Sequence, residues 1–397
     1  MPASAPPASP VPDRIPLAEP CLTGNARRYL LDCLDTGWVS SAGPYVERFE
    51  RALARYLGLP HAVATASGTA ALHLALRAAG IGPGHEVLVP TLTFIATANA
   101  VAYTGARPVL VDVEPRHAQM DPELVHHFLT RHCRWQGGRL VNRHTGRQVR
   151  AILPVHLLGH TAEMEPLAEL ARRYELILIE DAAQALGALY QGRPAGTWGH
   201  AACFSFNGNK LVTTGGGGMV VTRDPRLARR ARHLSTQAKA DPVEYLHDEL
   251  GYNYRLPNLL AALGCAQMEE LEEFLAAKRT LAAAWRKALA ELPGLRPLEP
   301  GPHTQSAWWL FTVEVDPALC GLDARGLMRR LDARGIQTRP LWQPLHLSPV
   351  HAQCQAVVRG RAERLWQRCL SLPSSVDLNP ALVPKIAENI RECFAQS

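Results

Sequence analysis

The chain has 397 residues, 47% of them hydrophobic and 20% charged, which is too long for one small module and too apolar to stay unfolded. Its net charge of +6 comes from 42 basic and 36 acidic residues, and residues 131–150 alone hold six arginines with no Asp or Glu. The surplus is therefore local, which excludes a general nucleic-acid-binding surface and leaves room for a small acidic ligand or partner. Nine scattered cysteines without a C-x-x-C pair argue against a disulfide framework or a zinc ribbon and fit a reducing cytoplasm. Six prolines fall within residues 1–16, with no basic start or apolar core of a signal peptide, so this opening reads as a disordered tail. No run approaches the ~20 apolar residues of a membrane span.

From Pro44, the residues Tyr45, Val46, Phe49, Leu53 and Leu57 recur at three- and four-residue steps and stop at Gly58, which predicts an amphipathic helix with a C-terminal glycine. Strand-like runs follow at 61–64, 86–89, 108–111, 151–155, 176–179 and 219–222. Helical stretches such as 70–79 and 164–174 alternate with them. That order predicts an α/β fold with a mostly parallel sheet covered by helices on both faces. Residues 258–292, rich in Ala, Leu and Glu and free of proline until Pro293-Gly294, read as a long helix or a broken helical pair. The predicted division is thus a large domain over 17–257, then a linking helix and a smaller α+β C-terminal domain over 258–397. In the latter, a strand is expected at 308–315 and helices at 325–334, near 361–370 and at 383–394.

Three segments carry chemistry. Ser67-Gly68-Thr69 sits between a strand and an Ala-rich helix, where outward N–H groups and a hydroxyl make a phosphate seat, or simply an N-cap. Glu180-Asp181 ends the apolar run 176–179, placing a carboxylate where open α/β sheets bind ligands. It needs a cationic partner there, for which a protonated pyridine nitrogen would serve, unless Asp181 merely caps a following helix. The third segment, FSFNGNKLVTTGGGGM from Phe204, sets Lys210 beside a glycine run. A partly desolvated lysine can lose its proton and attack a carbonyl, whereas a solvated loop lysine does nothing. The order of the three is that of a pyridoxal phosphate (PLP) enzyme.

With these motifs in place, the sequence closely resembles the PLP-dependent sugar aminotransferases of the DegT/StrS type. The carriers include GWVSSAGPYVERFE at Gly37, SGTAALH at Ser67, VPTLTFIATANA at Val89, PVHLLGH at Pro154, EDAAQALGA at Glu180, SFNGNK at Ser205, TTGGGGM at Thr213 and GYNYRLPNLLAALG at Gly251. The resemblance implies fold type I architecture and pyridoxal 5′-phosphate as cofactor. It implies that Gly68, Thr69 and Ser205 bind the phosphate, with Ser67 beside them, that Phe94 stacks on the pyridine ring, and that Asp181 keeps the ring nitrogen protonated. Gln184 would lie near the phenolic oxygen, and Lys210 would form the Schiff base and shuttle the proton. Asn253 would reach the phosphate from the other subunit, making the active site a property of a homodimer. Within the family the likeness is to enzymes of the bacillosamine and legionaminic acid pathways. It implies a UDP-linked 2-acetamido-4-keto-6-deoxyhexose as acceptor and L-glutamate as amino donor. The alternative is a GDP-4-keto-6-deoxymannose aminotransferase, a perosamine synthase.

Two rivals of other classes share this fold. A pyridoxamine-dependent sugar dehydratase resembles this chain with the Schiff-base lysine replaced by histidine, and a non-catalytic regulator would have lost Lys210, Asp181 or the phosphate seat. Other signals carry less. Gly80-Ile81-Gly82-Pro83-Gly84 follows a helix and precedes a strand, the reverse of a dinucleotide turn. His126, His127, His132 and Cys133 do not converge on one helical face, so no metal is expected. Trp308-Trp309 reads as core or interface rather than a ligand platform. The arginine-rich stretch from Gly137 reads as strand, turn, strand, either a solvated edge hairpin or a basic element serving a diphosphate or a neighbouring subunit.

Overall fold

The computed structural model describes residues 14–241 and 243–395. The apolar runs assemble into one ten-stranded sheet. Its main path is His61–Thr65, Gly218–Thr222, Ala201–Ser205, Ile177–Asp181, Gln148–Ile152, His85–Pro90, Arg107–Val111 and Ala356–Val357. Along this path pairing is parallel from Ala201–Ser205 onward, and Gly218–Thr222 runs against its two neighbours. Because side chains alternate across a strand, Val63 packs with the helices Gly68–Ala78 and Pro225–Ser235, whereas Ala62 and Ala64 pack with Pro44–Leu57 and Asn258–Glu269. Both faces are therefore covered, and the expected α/β architecture is observed.

The local grammar explains most boundaries. The helix Pro44–Leu57 ends on Gly58 in the left-handed region, φ 64°. Residues 258–292 form a broken pair, Asn258–Glu269 and Leu271–Leu289. The first of these lies wholly in the core of the large sheet, and the second begins there at Leu271, Phe274 and Leu275 and ends in the second core at Leu281, Trp285 and Leu289. The second core covers an antiparallel sheet of Leu295–Pro297, Phe311–Val315, Cys369–Leu372 and Arg339–Pro340, with helices Ala324–Asp332 and Val383–Ala395 packed on it.

Several expectations need correction. Of the tail predicted at 1–16, residues 1–13 lie outside the described residues. Ile15 is buried, and its backbone bonds Gly335 and Gln337 at 2.8 Å each. The strand expected at 308–315 begins only at Phe311 because Trp308 has φ 50°, and the helix expected to reach 370 stops at Arg368, where a strand begins. The arginine-rich stretch does form a hairpin, Arg139–Asn142 leading into Gln148–Ile152, preceded by a further strand Cys133–Gln136. It enters the sheet at the amino ends of the parallel strands, the end opposite Asp181, and lines no part of the cavity described below. A role at a diphosphate in its own chain's site is therefore not met. Among the described residues, no helix is long and apolar enough to cross a membrane.

Candidate active site

The strand His61–Thr65 delivers the chain to Ser67, whose extended backbone starts the helix Gly68–Ala78. Ser67 Oγ accepts the Ala70 N–H at 3.1 Å, so the N-cap reading holds for its hydroxyl. The first-turn N–H groups, which have no intrahelical acceptor, remain as the seat. A Cβ on Gly68 would lie 2.7 Å from Ser205 Cβ, and one on Gly218 would lie 2.4 Å from the Ser67 carbonyl oxygen. Glycine at both positions is what lets helix start, Ser205 and glycine loop approach one another so closely.

Asp181 ends the strand Ile177–Asp181 and is buried. Its Oδ2 accepts the Thr97 hydroxyl at 2.7 Å and its Oδ1 the Ala183 N–H at 3.1 Å. No helix follows it, so the helix-cap reading falls away. Burial pushes its carboxyl above the usual range, against the Thr97 and Ala183 hydrogen bonds and the charge of Lys210. Glu180 faces the other side of the strand, where it takes the N–H groups of Gly196, Trp198 and Gly199 at 2.7–2.8 Å. His156 Nδ1 accepts the Ala162 N–H, which leaves Nε2–H to donate to Glu180 at 2.9 Å. Glu180 is thus a fully bonded structural carboxylate, and Asp181 is the one turned to the cavity.

Lys210 follows a turn closed by its own N–H to the Asn207 carbonyl at 3.0 Å. Burial brings its amine down to about 8, and the Asp181 charge works the other way. Its Nζ stands 3.9 Å from the Trp309 ring centroid, and Trp309 Nε1–H donates to the Asn209 carbonyl at 2.7 Å. Ser67, Gly68, Thr69, Phe94, Asp181, Gln184, Ser205 and Lys210 all face one cavity of about 450 Å³. Phe94 is half exposed at its mouth, and Gln184 Oε1 is fixed by the Leu158 N–H at 2.8 Å. Asn253 is exposed and does not line this cavity in its own chain.

Sequence reasoning missed Thr97, Asn209, Trp309 and Trp342, which also line the cavity. The Trp308-Trp309 reading is half corrected. Trp308 lies in the second core, whereas Trp309 walls the site, stacked parallel to Trp342 with centroids 6.3 Å apart. The donor set fits pyridoxal 5′-phosphate: backbone N–H groups and hydroxyls for a phosphate, a buried carboxylate for a cationic ring nitrogen, and an amine with a lowered pKa for a carbonyl.

The comparisons agree with this geometry. The model of the DegT/DnrJ/EryC1/StrS aminotransferase family matches residues 20–391. The chain is 41% identical over 378 residues to the GDP-perosamine synthase of Caulobacter vibrioides, covering 94% of this chain and 96% of that protein. It is 37% identical to the GDP-perosamine synthase of Escherichia coli O157:H7, covering 96% and 99%. The crystal structure of S. venezuelae DesV superposes with a TM-score of 0.84 at 38% identity, over 96% of this chain and 98% of that one. The chain therefore belongs to the DegT/DnrJ/EryC1/StrS aminotransferase family and is a pyridoxal 5′-phosphate-dependent nucleotide-sugar aminotransferase.

Proposed function

We propose that the protein transfers an amino group from L-glutamate to a GDP-linked 4-keto-6-deoxymannose, acting as a homodimer in which each site is completed by Asn253 of the partner subunit. The likeness to GDP-perosamine synthases along nearly the whole chain carries the choice of sugar. It favours the GDP-linked alternative over the UDP-linked 2-acetamido sugar. Lys210 facing the cavity speaks against a dehydratase, and the intact Asp181 and phosphate seat speak against a regulator.

When bound, the cofactor supplies an electron sink for the charge left on a deprotonated substrate carbon. Gly68, Thr69 and Ser205 would hold its phosphate, with Ser67 fixing the helix start. Asp181 would hold its ring nitrogen protonated, and Gln184 and Phe94 would orient the ring. The Lys210 amine removes the Cα proton of glutamate in the first half-reaction and delivers a proton to sugar C4 in the second. An amine near 8 keeps a usable neutral fraction at neutral pH, and the buried walls of the cavity limit its hydration.

The test is an assay of the purified protein with L-glutamate and either sugar, read by product mass. Conversion of GDP-4-keto-6-deoxymannose with kcat/KM at least about tenfold above that for the UDP-linked 2-acetamido-4-keto sugar is expected, a difference of ~1.4 kcal/mol. The reverse preference would reinstate the UDP reading.

A further inference from the structure

Lys278 is almost fully buried in the helix Leu271–Leu289, far along the chain from every residue assigned above. It sits where two strands of the second sheet part. The register pairs Phe311 with Leu372, so Trp309 and Ser374 would stand opposite each other two residues further on, but the ladder does not continue to them. The Phe311 N–H turns instead to Ser374 Oγ at 2.9 Å, and Trp309 leaves the sheet for the cavity. The two carbonyls freed by this splay, those of Trp309 and Ser374, both accept from Lys278 Nζ, the first at 2.9 Å. The helix is anchored beside them by Trp285 Nε1–H on the Pro373 carbonyl at 3.0 Å.

The match is chemically specific. A neutral amine has two N–H donors, and two buried carbonyls await them. Burial brings the Lys278 amine down to about 7, with the Asp377 charge opposing. Trp309 is also gripped from the other side. Gly159, at φ 92°, lies so close that a Cβ there would stand 2.5 Å from the Trp309 nitrogen. Backbone contact at Gly159, the indole hydrogen bond to Asn209 and the carbonyl bond to Lys278 together fix where the ring lies over Lys210.

We propose that Lys278 is a positioning residue for the catalytic amine, holding the Trp309 indole against Lys210 through the Trp309 carbonyl. This rests on Lys210 as the cofactor-binding lysine and not on the identity of the sugar.

The test is a pH titration of the visible cofactor band of the holoenzyme without substrate, for wild type, Lys278→Met, Trp309→Ala and the double variant. A ring in place over a desolvated amine changes its protonation equilibrium, so each single variant is expected to move the midpoint by about half a pH unit or more. Both shifts should have the same sign, and the double variant should shift no further than Trp309→Ala alone. A Lys278→Met midpoint equal to that of wild type, or shifts that add in the double variant, would overturn the proposal. So would an unmoved midpoint in Trp309→Ala, since nothing would then be positioned. Should Lys278→Met not fold, Lys278→Gln takes its place, because its amide keeps two N–H donors one bond short and draws Trp309 back. The same shift is expected, and none would overturn the proposal. Borohydride trapping of the wild-type cofactor on Lys210 keeps that assignment standing whatever the Lys278 variants do.

Discussion

Lys210 Nζ lies 3.9 Å from the Trp309 ring centroid, and the same indole donates to the carbonyl of Asn209, the residue before the lysine. One side chain from the segment just before the strand Phe311–Val315 thus covers the amine and braces the turn that carries it. Burial disfavours a charged amine, the Asp181 charge favours it, and the balance is an amine near 8, over which the ring face lies.

Asp181 should be indispensable for its charge rather than its shape. Asp181→Asn keeps a group of the same size that can still meet Thr97, but it cannot hold a ring nitrogen protonated. A fall in kcat of roughly a hundredfold or more is expected, ~2.7 kcal/mol in the barrier, measured with saturating cofactor. Near-normal turnover would reduce the carboxylate to a local turn-former.

Thr97 donates the shorter of the two hydrogen bonds on that carboxylate. Hydrogen bonds to the ionised form lower a carboxyl pKa, so Thr97→Val should raise that of Asp181 beyond what burial already does. Catalysis needs the ionised form, and the acid limb of the kcat profile should therefore move to higher pH. Thr97→Ser, which keeps the hydroxyl, should restore it. An acid limb unmoved in Thr97→Val would mean that the limb belongs to another group.

The proposed shared site has its own test. A bulky replacement of Asn253 that is nearly inactive alone, mixed with Lys210→Ala, should regain activity through mixed dimers in which one site has both residues whole. Random pairing makes half the dimers mixed, so the ceiling is about a quarter of wild-type activity. If mass measurement shows subunit exchange and no activity returns, Asn253 does not complete the partner's site.

The parts of the site legible in the sequence are those whose signal is local. Ser67-Gly68-Thr69 and Asp181 each follow an apolar run that can only be a buried strand, and Lys210 sits in a glycine loop. The sheet then gathers these strand ends without further instruction. Thr97 was not legible because the helix Ala96–Tyr103 is an unremarkable apolar stretch, and its hydroxyl matters only once that helix lies beside Asp181. Trp308 and Trp309 share one apolar context, yet the left-handed backbone at Trp308 sends one indole into the second core and the other to the cavity. The strand Ala201–Ser205 was missed because it is short and alanine-rich. Its place beside Ile177–Asp181 is a long-range pairing that no local pattern encodes.

In the proposed mechanism Lys210 is the amine that holds the cofactor. Borohydride reduction of the purified holoenzyme, followed by peptide mass spectrometry, should place the reduced cofactor's mass on Lys210, and Lys210→Ala should bind cofactor without becoming trapped. An adduct on another lysine, or no adduct in protein that binds the cofactor, would contradict it.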